Sequence, residues 1–271
     1  MSPRIALIGF GEVGQIFGSD LVGAGAAHVS AYDVVFDASA GDERKRFAAT
    51  VGVVAANDVS QAILRADVVI SAVTAAEAGA VARLAARDLS PGQIFLDINS
   101  ASPTTKVAAA KHVSARGAQF VEGAVMAAVP GPRLRVPILG GGSAAVRAAS
   151  ILNPLGMNIT PVSDEIGRAS AMKLCRSIMI KGIEALMIDC AGAASRWNVE
   201  REVFASLAET FPSIDWADLS GKMAERVRKH GVRRAAEMRE AAQMLGELGL
   251  EPALASAIAE AQEAFAKGAK S

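Results

Sequence analysis

The sequence is poor in the residues that mark disulfide-rich, membrane-spanning or nucleic-acid-binding proteins. Its 271 residues include two cysteines and only 4% aromatic residues, and 28 basic side chains balance 28 acidic ones. Scarce aromatics and zero net charge argue against base stacking and against charge-driven contact with nucleic acid. No apolar run reaches the ~18 residues of a membrane helix, and the N-terminus lacks a signal-peptide core. We therefore expect a cytoplasmic protein that binds neither nucleic acid nor membrane.

Both cysteines fall in one apolar stretch with helical composition. Cys175 and Cys190 are too far apart on a single helix to form a disulfide with each other. We therefore expect two reduced thiols in the core of an intracellular protein.

Apolar residues are abundant, at 51% of the chain, and the length suits two domains. Up to about Pro161, short β-branched runs alternate with alanine-rich segments of helical composition. This alternation, with runs buried on both faces, predicts a doubly wound parallel sheet. The predicted strands are Ile5–Ile8, Val29–Tyr32, Val68–Ala72, Ile94–Asp97, Gln119–Val121 and Val136–Leu139, with Ile159–Pro161 as an optional last one. The helices predicted between the early strands are Val13–Val22, Asp58–Leu64 and Glu77–Ala86.

Beyond Asp164 the pattern changes, because no strand signal remains and helical composition continues to the end. Glu165–Ala194 is predicted as one long helix, although Gly182 and Gly192 weaken its later half. The predicted fold class is therefore an α/β Rossmann domain, residues 1–163, followed by an all-α domain, residues 164–271.

The stretch "GFGEVG" lies between the first predicted strand and a predicted helix and matches G-x-G-x-x-G. Gly9 would make the tight turn, Gly11 would let the backbone approach a pyrophosphate, and Gly14 would allow close helix packing. The phosphates would lie at the N-terminus of the helix, where N–H groups and the dipole favour anions. The predicted cofactor contacts in this loop also include Phe10, Glu12 and Val13.

A second cofactor signal is Asp33, which ends the next predicted strand about 20 residues later, where an acid binds the adenosine ribose. Because Asp33 is followed by Val-Val rather than an arginine, NAD is favoured over NADP. The basic run Arg44, Lys45 and Arg46 leaves NADP open. Val73 and Asn99, after later strands, are also predicted to contact the cofactor. The alternative is a glycine-rich turn with a surface aspartate.

Three further stretches give the chain a family resemblance: "DINSASPTT" (97–105), "FVEGAVMAAVPGP" (120–132) and "GRASAMKLCRSIMIKGIEAL" (167–186). Their order and spacing resemble the β-hydroxyacid (3-hydroxyacid) dehydrogenases, which include 3-hydroxyisobutyrate and 6-phosphogluconate dehydrogenases. The C-terminal part looks more like a poorly characterised subgroup of nicotinamide-dependent oxidoreductases. The resemblance implies a Rossmann domain, a helical domain, and a homodimer formed largely through the helices.

The resemblance also implies hydride transfer between a carbinol carbon and the nicotinamide, assisted by a lysine that corresponds to Lys173. The residues give a physical reason of their own, since an alkoxide forming beside NAD needs a proton acceptor. An ammonium desolvated between two domains would have its pKa lowered toward neutrality. The alternative is a solvated lysine early in a helix.

The chain departs from the family pattern where the family holds a small carboxylate and the reacting hydroxyl. Asn99 and Ser100 replace serine and threonine, but both can still donate hydrogen bonds to a substrate; an Asx-type turn is the alternative. Backbone N–H groups would have to serve where the family has a serine and two glycines. The remaining substrate-side predictions are Met126, Ala127 and Ala128 in that loop, and Arg176 and Ser177 where the family has asparagine.

In the helical part, "RVRKHGVRRAAEMREAAQML" (226–245) places His230 and Arg234 on one helical stripe. A histidine could polarise a carbonyl, and arginine is a good carboxylate clamp. The alternative is a solvated face with i,i+4 ion pairs. Arg176, one turn from Lys173, would bind an anion or form an interface ion pair.

Taken together, the sequence predicts an NAD(P)-dependent oxidoreductase that acts on a small hydroxyacid-like alcohol. Imine or ketone reduction is an alternative, because the altered loop suits a substrate without a carboxylate. A non-catalytic NAD(P)-binding sensor or scaffold is an alternative of another class. We predict no metal site, because no group of ligand residues has metal-binding spacing.

Overall fold

The computed structural model describes residues 2–38 and 41–268, which form a sheet followed by helices. The strands are β1 (Arg4–Ile8), β2 (His28–Tyr32), β3 (Val54–Ala55), β4 (Val68–Ser71), β5 (Ile94–Asp97), β6 (Gln119–Val125), β7 (Pro137–Gly141) and β8 (Asn158–Ser163). The α-helices are α1 (Glu12–Gly23), α2 (Gly41–Thr50), α3 (Val59–Ile63), α4 (Ala78–Ala85), α5 (Pro103–Ser114), α6 (Ala145–Leu152), α7 (Arg168–Trp197), α8 (Glu200–Thr210), α9 (Trp216–Glu247) and α10 (Ala253–Gly268).

The strands lie in the order β3-β2-β1-β4-β5-β6-β7-β8. Neighbours from β3 to β6 are parallel, and the order reverses between β1 and β4, which is the switch point of a Rossmann sheet. The doubly wound sheet is parallel as predicted except at one junction: β7 runs antiparallel to β6, and β8 is parallel to β7. A short connection joins β6 to β7, whereas a parallel return would need a longer crossover.

The sheet is buried on both faces, as the continuous apolar runs predict. In β1, Ile5 and Leu7 pack in a cluster with Phe17 of α1. Their neighbours Ala6 and Ile8 pack in a second cluster on the other face, because side chains alternate along a strand. The predicted α/β domain followed by helices is confirmed.

Among the described residues, the chain forms two compact units whose boundary falls between Lys173 and Leu174. The predicted domain boundary at 163/164 comes before α7, whereas this one lies within it. The first turn of α7 belongs to the first unit because Glu122 of β6 binds its N–H groups, as described below.

The second unit contains the rest of α7 together with α8, α9 and α10. Along α9, Met223, Val227, Gly231 and Ala235 are buried at a spacing of four residues. A Cβ at Gly231 would lie 2.3 Å from the carbonyl oxygen of Gln262, so α9 and α10 approach closely there.

The prediction of two core thiols is wrong for Cys175, which is exposed, while Cys190 is half-buried; both are free thiols. Leu174, the residue before Cys175, is buried. Cys175 is exposed because adjacent residues of a helix point in different directions. Within the described part of the chain, no helix combines the length and apolar character needed to cross a membrane.

Candidate active site

The first strand leads into a corner that contains three glycines. Gly9 has φ of +94°, and a Cβ there would lie 2.4 Å from the carbonyl oxygen of Ala72. A Cβ at Gly14 would lie 2.1 Å from the carbonyl oxygen of Gly9. Both distances are far below van der Waals contact, so the packing of the chain itself requires these two glycines.

Gly11 differs from the other two glycines. It precedes α1 in an extended conformation, and a Cβ there would meet none of the described atoms within 4 Å. The open space adjoins the first turn of α1, where N–H groups and the helix dipole favour an anion. A pyrophosphate needs this close access to backbone, so the residues present fit a dinucleotide.

Asp33 connects this corner to the end of β2. Its Oδ2 accepts a hydrogen bond from the N–H of Phe10 at 2.7 Å, and its Oδ1 accepts one from the N–H of Val35 at 2.9 Å. The guanidinium of Arg44 lies 3.4 Å from Oδ2. A carboxylate has more lone pairs than these contacts use, so Asp33 can still bind a ribose hydroxyl.

Asn99 joins the loops that follow β4 and β5, and it is buried. Its Oδ1 accepts a hydrogen bond from the N–H of Val73 at 2.6 Å. Its Nδ2 donates to Ser71 Oγ at 3.0 Å and to Asp97 Oδ1 at 2.6 Å. Because both amide hydrogens are used inside the protein, the structure corrects the expectation that this amide donates to a substrate. Asn99 instead fixes the two loops.

Asp97 and Lys106 form a buried ion pair beside the same loop. Lys106 is fully buried, and its Nζ donates to Oδ1 and to the carbonyl oxygen of Asp97, both at 2.9 Å. Oδ2 of Asp97 has no hydrogen-bond partner among the described residues. Since Lys106 belongs to α5, the pair holds this helix at the end of β5.

Ser100 follows Asn99 directly and accepts a hydrogen bond from Nζ of Lys173. Lys173 is half-buried and lies in the second turn of α7. Contacts therefore follow one another along the carboxyl ends of β1, β4 and β5: Gly9 with Ala72, Val73 with Asn99, and Ser100 with Lys173.

Two sequence-family models match the chain. The family described as NADP oxidoreductase, coenzyme F420-dependent, matches residues 4–101. A domain of unknown function, DUF1932, matches residues 194–265. The first match covers β1 to β5 and includes the glycine corner.

Solved structures resemble the chain over nearly its whole length. A conserved hypothetical protein from Sinorhizobium meliloti 1021 is 42% identical, with a TM-score of 0.87 over 98% of this chain and 89% of that one. The conserved protein MTH1747, described as structurally similar to 3-hydroxyacid dehydrogenases, is 31% identical, with a TM-score of 0.81 over 98% of each chain. The chain belongs to the 3-hydroxyacid dehydrogenase family. The mitochondrial 3-hydroxyisobutyrate dehydrogenase of Drosophila melanogaster is 26% identical over 80% of this chain and 66% of that one.

The 3-hydroxyacid dehydrogenases are NAD(P)-binding oxidoreductases, and the corner at Gly9, Gly11 and Gly14 fits that cofactor class. The expectations of a Rossmann domain, of NAD(P) as the cofactor class and of this family are therefore confirmed.

The loop after β6 is where this chain departs from the 3-hydroxyacid dehydrogenase pattern. The N–H of Met126 donates to the carbonyl oxygen of Pro137 at 2.9 Å, so it does not face a substrate as expected. Ala127 and Ala128 are exposed and offer only methyl groups and backbone. Positions 126–128 therefore carry no side-chain donor in place of the family's serine.

The other predicted substrate residues lie in the second unit. Arg176 is exposed and Ser177 is buried, as expected of neighbours on a helix. Arg234 donates from Nη2 to the fully buried Glu184, which also binds Arg226 at 3.0 Å. This buried pair joins α9 to α7, so it differs from the solvated face with i,i+4 ion pairs that is the alternative for Arg234.

His230 lies in the middle of α9 and is half-buried. Within the described ranges, no group of three or more histidine, cysteine, aspartate and glutamate side chains could hold a metal ion.

Sequence reasoning missed two buried groups of the first unit, Glu122 and the Asp97–Lys106 pair. Glu122 interrupts the apolar strand "FVEGAV", and a charge in a buried strand must have a partner inside the protein. The sequence therefore carried a signal that a partner exists. It could not identify the partner, because the N–H groups that bind Glu122 lie 45 to 48 residues away.

Proposed function

We propose that the protein transfers hydride between NAD(P) and a small hydroxyacid-like alcohol, with Lys173 as the general acid and base. The observation that supports this proposal is the series of contacts from Gly9 to Lys173 along the carboxyl ends of neighbouring strands. In open α/β sheets the ligand binds in the crevice outside these strand ends, at the switch point. The half-buried amine of Lys173 lies at this edge.

The cofactor and the protein side chains have separate roles in the proposed reaction. When bound, the nicotinamide supplies the hydride acceptor for oxidation and the hydride donor for reduction. Oxidation of a carbinol breaks the C–H and O–H bonds, so the hydroxyl proton must pass to a base. Lys173 accepts this proton as a neutral amine and returns it as an ammonium in the reverse direction. Ser100 holds the amine through its Oγ.

NAD is the favoured cofactor because Asp33 ends β2 where the ribose hydroxyls bind, and its charge repels a 2′-phosphate. Arg44, 3.4 Å from this carboxylate, is the group that would attract the phosphate. Fluorescence titrations should give a lower Kd for NADH than for NADPH, and Asp33→Ala should reduce that difference. Tighter binding of NADPH by the unmodified protein would reverse the assignment.

Ketone or imine reduction is the second candidate, and the loop after β6 favours it. Met126 uses its N–H within the sheet, and Ala127 and Ala128 offer no side chain that would hold a carboxylate. A substrate panel that pairs each hydroxyacid with the alcohol or amine lacking the carboxylate separates the two candidates. A higher kcat/KM for the compound that lacks the carboxylate supports the second.

We also propose a homodimer formed through the helical unit. Met179, Ile183 and Leu186 are exposed apolar side chains spaced three to four residues apart along α7, which places them on one face. Sedimentation equilibrium should show a dimer for the unmodified chain and a monomer for Leu186→Glu. A monomeric unmodified chain would exclude this assembly.

Lys173→Ala tests the proposed function. NADH should bind with its Kd almost unchanged, because the glycine corner is intact, while turnover should fall by about 10²–10⁴-fold. The matched control is Lys111→Ala, since Lys111 is an exposed lysine on α5 of the same unit. It should leave binding and turnover unchanged.

Two outcomes would overturn the proposal. Full turnover by Lys173→Ala would remove the lysine from the mechanism. NADH binding without oxidation or reduction of any hydroxyacid, diol, ketone or amine by the unmodified protein would support a non-catalytic sensor.

A further inference from the structure

Glu122 is a fully buried carboxylate in the middle of β6. Its neighbours in the sheet are Asp97 on β5 and Gly141 on β7. A Cβ at Gly141 would lie 2.4 Å from Oε1 of Glu122, so the absence of a side chain there leaves room for the carboxylate. A buried charge persists only where hydrogen bonds or counter-charges replace water.

The partners of this carboxylate are the N–H groups that begin α7. Oε1 accepts hydrogen bonds from the N–H of Gly167 at 2.6 Å and of Ala169 at 3.0 Å. Oε2 accepts from the N–H of Ser170 at 3.2 Å and from its Oγ at 2.5 Å. The first turn of a helix has N–H groups without partners in the helix and carries the positive end of the dipole. Glu122 therefore acts as a helix cap from a distant strand.

The capped turn is the one that precedes Lys173. Ala169 and Ser170 lie four and three residues before it, so all three share one side of α7. The hydrogen bonds that Glu122 accepts from the N–H groups of Ala169 and Ser170 therefore fix how the first turn of α7 is rotated about the helix axis. This rotation determines the direction in which the side chain of Lys173 leaves the helix. At the other end of its side chain, Nζ donates to Ser100.

We propose that Glu122 is a positioning residue that holds the amine of Lys173 at Ser100 by fixing the first turn of α7. That this positioning matters for catalysis rests on the function proposed above, in which Lys173 is the general acid and base. The geometric part, that Glu122 sets where the amine lies, is independent of the reaction.

Competitive acetylation with trace acetic anhydride measures the position of the amine without cofactor or substrate. At a pH where both amines are neutral, Lys173 of the unmodified protein should react more slowly than the exposed Lys111, because it is half-buried and bonded to Ser100. In Glu122→Gln, Lys173 should react about tenfold faster, the factor that corresponds to the loss of a single charge-assisted hydrogen bond. NADH should bind with unchanged Kd, whereas kcat should fall and its pH profile should shift.

The matched control is Glu165→Gln, the same substitution at an exposed acid just before α7. It should leave the acetylation of Lys173 unchanged, which separates the buried cap from a general effect of charge near the helix end. Ser170→Ala removes only one of the four hydrogen bonds and should give a smaller change in the same direction, even if Glu122→Gln fails to fold.

The results distinguish the two proposals. Unchanged acetylation of Lys173 in folded Glu122→Gln, or in Ser170→Ala where the first variant does not fold, would overturn the positioning role. An equal change in Glu165→Gln would overturn it as well. Faster acetylation together with full turnover by Lys173→Ala would keep the positioning role and overturn the catalytic one.

Discussion

Glu122 and Asp33 of the first unit are bound mainly by backbone N–H groups, whereas Glu184 and Lys181 of the second unit are bound by side chains. Glu122 accepts three N–H groups at the start of α7, and Asp33 accepts those of Phe10 and Val35. These N–H groups lie in loops or at helix ends. A carboxylate that binds them fixes the path of the chain at the candidate site.

In the second unit the buried charges come in pairs from neighbouring helices. Lys181 of α7 lies 2.8 Å from Glu237 of α9, and Glu184 binds Arg226 and Arg234 of the same helix. Such pairs lose much of their attraction to desolvation. They determine which helix faces meet, and they are not arranged around a loop or a helix end. Glu122 and Asp33 therefore fix loops and a helix end, whereas Glu184 and Lys181 fix the packing of helices.

Lys106→Met provides the largest expected effect, because the Asp97–Lys106 pair is a buried ion pair inside the first unit. Removal of the lysine leaves a buried carboxylate without its counter-charge, so the free energy of unfolding should fall by about 3 kcal/mol or more. Urea denaturation measures this change. Lys111→Met, on the exposed side of α5, is the control and should stay within about 1 kcal/mol. A loss as small as the control's would show that the pair does not hold the loop.

Gly11→Val sharpens the comparison by testing the proposed cofactor site of the first unit. A Cβ there meets none of the described atoms within 4 Å, so we expect room for the valine and little change in the melting temperature. It would occupy the space that a pyrophosphate needs, and affinity for NADH should fall about tenfold or more, measured by fluorescence titration.

The control for this change is Gly23→Ala, since Gly23 also borders open space but lies at the far end of α1. It should bind NADH normally. Unchanged affinity in Gly11→Val would place the cofactor elsewhere.

Lys181→Met tests the buried ion pairs of the second unit through the pH dependence of stability. Its effect on the free energy of unfolding should be smaller than that of Lys106→Met. Burial lowers the pKa of Lys181 from its ordinary value of 10.5, an effect that outweighs the attraction of Glu237. The unfolded chain therefore binds this proton more tightly than the folded protein does. Stability of the unmodified protein should rise as pH approaches 10.5 from below, and the methionine variant should lack that contribution. Urea unfolding at several pH values measures the difference.

Lys222→Met is a control, because the contribution of Lys222 to stability should change with pH in the opposite direction to that of Lys181. The hydrogen bond to Asp218 raises the pKa of Lys222, so the contribution of this lysine to stability is lost as pH rises through the folded value. If the difference between the unmodified protein and Lys181→Met falls or stays flat with rising pH, burial does not outweigh the attraction of Glu237, and this account of Lys181 is wrong.

The fold follows from the sequence where the hydrophobic pattern is strong. The predicted strands Ile5–Ile8 and Ile94–Asp97 agree with β1 and β5 to within one residue, because apolar β-branched runs mark buried strands. Strand β3 was missed, since two residues carry no periodicity. The antiparallel direction of β7 could not be predicted either, because alternation of side chains is the same in both directions.

The site could be predicted only where its residues lie close together in the sequence. The glycine corner has its roles encoded within six residues, and the structure separates Gly11 from the other two as the motif implies. Glu122 and Asn99 depend on partners in other strands and loops, so their roles follow from tertiary structure. The amide of Asn99 could equally face a substrate or the protein, and sequence gives no basis for the choice.

The central claim is that a dinucleotide binds at the corner of Gly9, Gly11 and Gly14 with its nicotinamide beside Lys173. A crystal structure with NADH tests it most directly. The account predicts room for one substrate molecule about 3–3.5 Å from the reactive carbon of the ring and within hydrogen-bond distance, roughly 2.6–3.2 Å, of Lys173 Nζ. A bound nicotinamide with Nζ of Lys173 directed into bulk solvent in every subunit would contradict it.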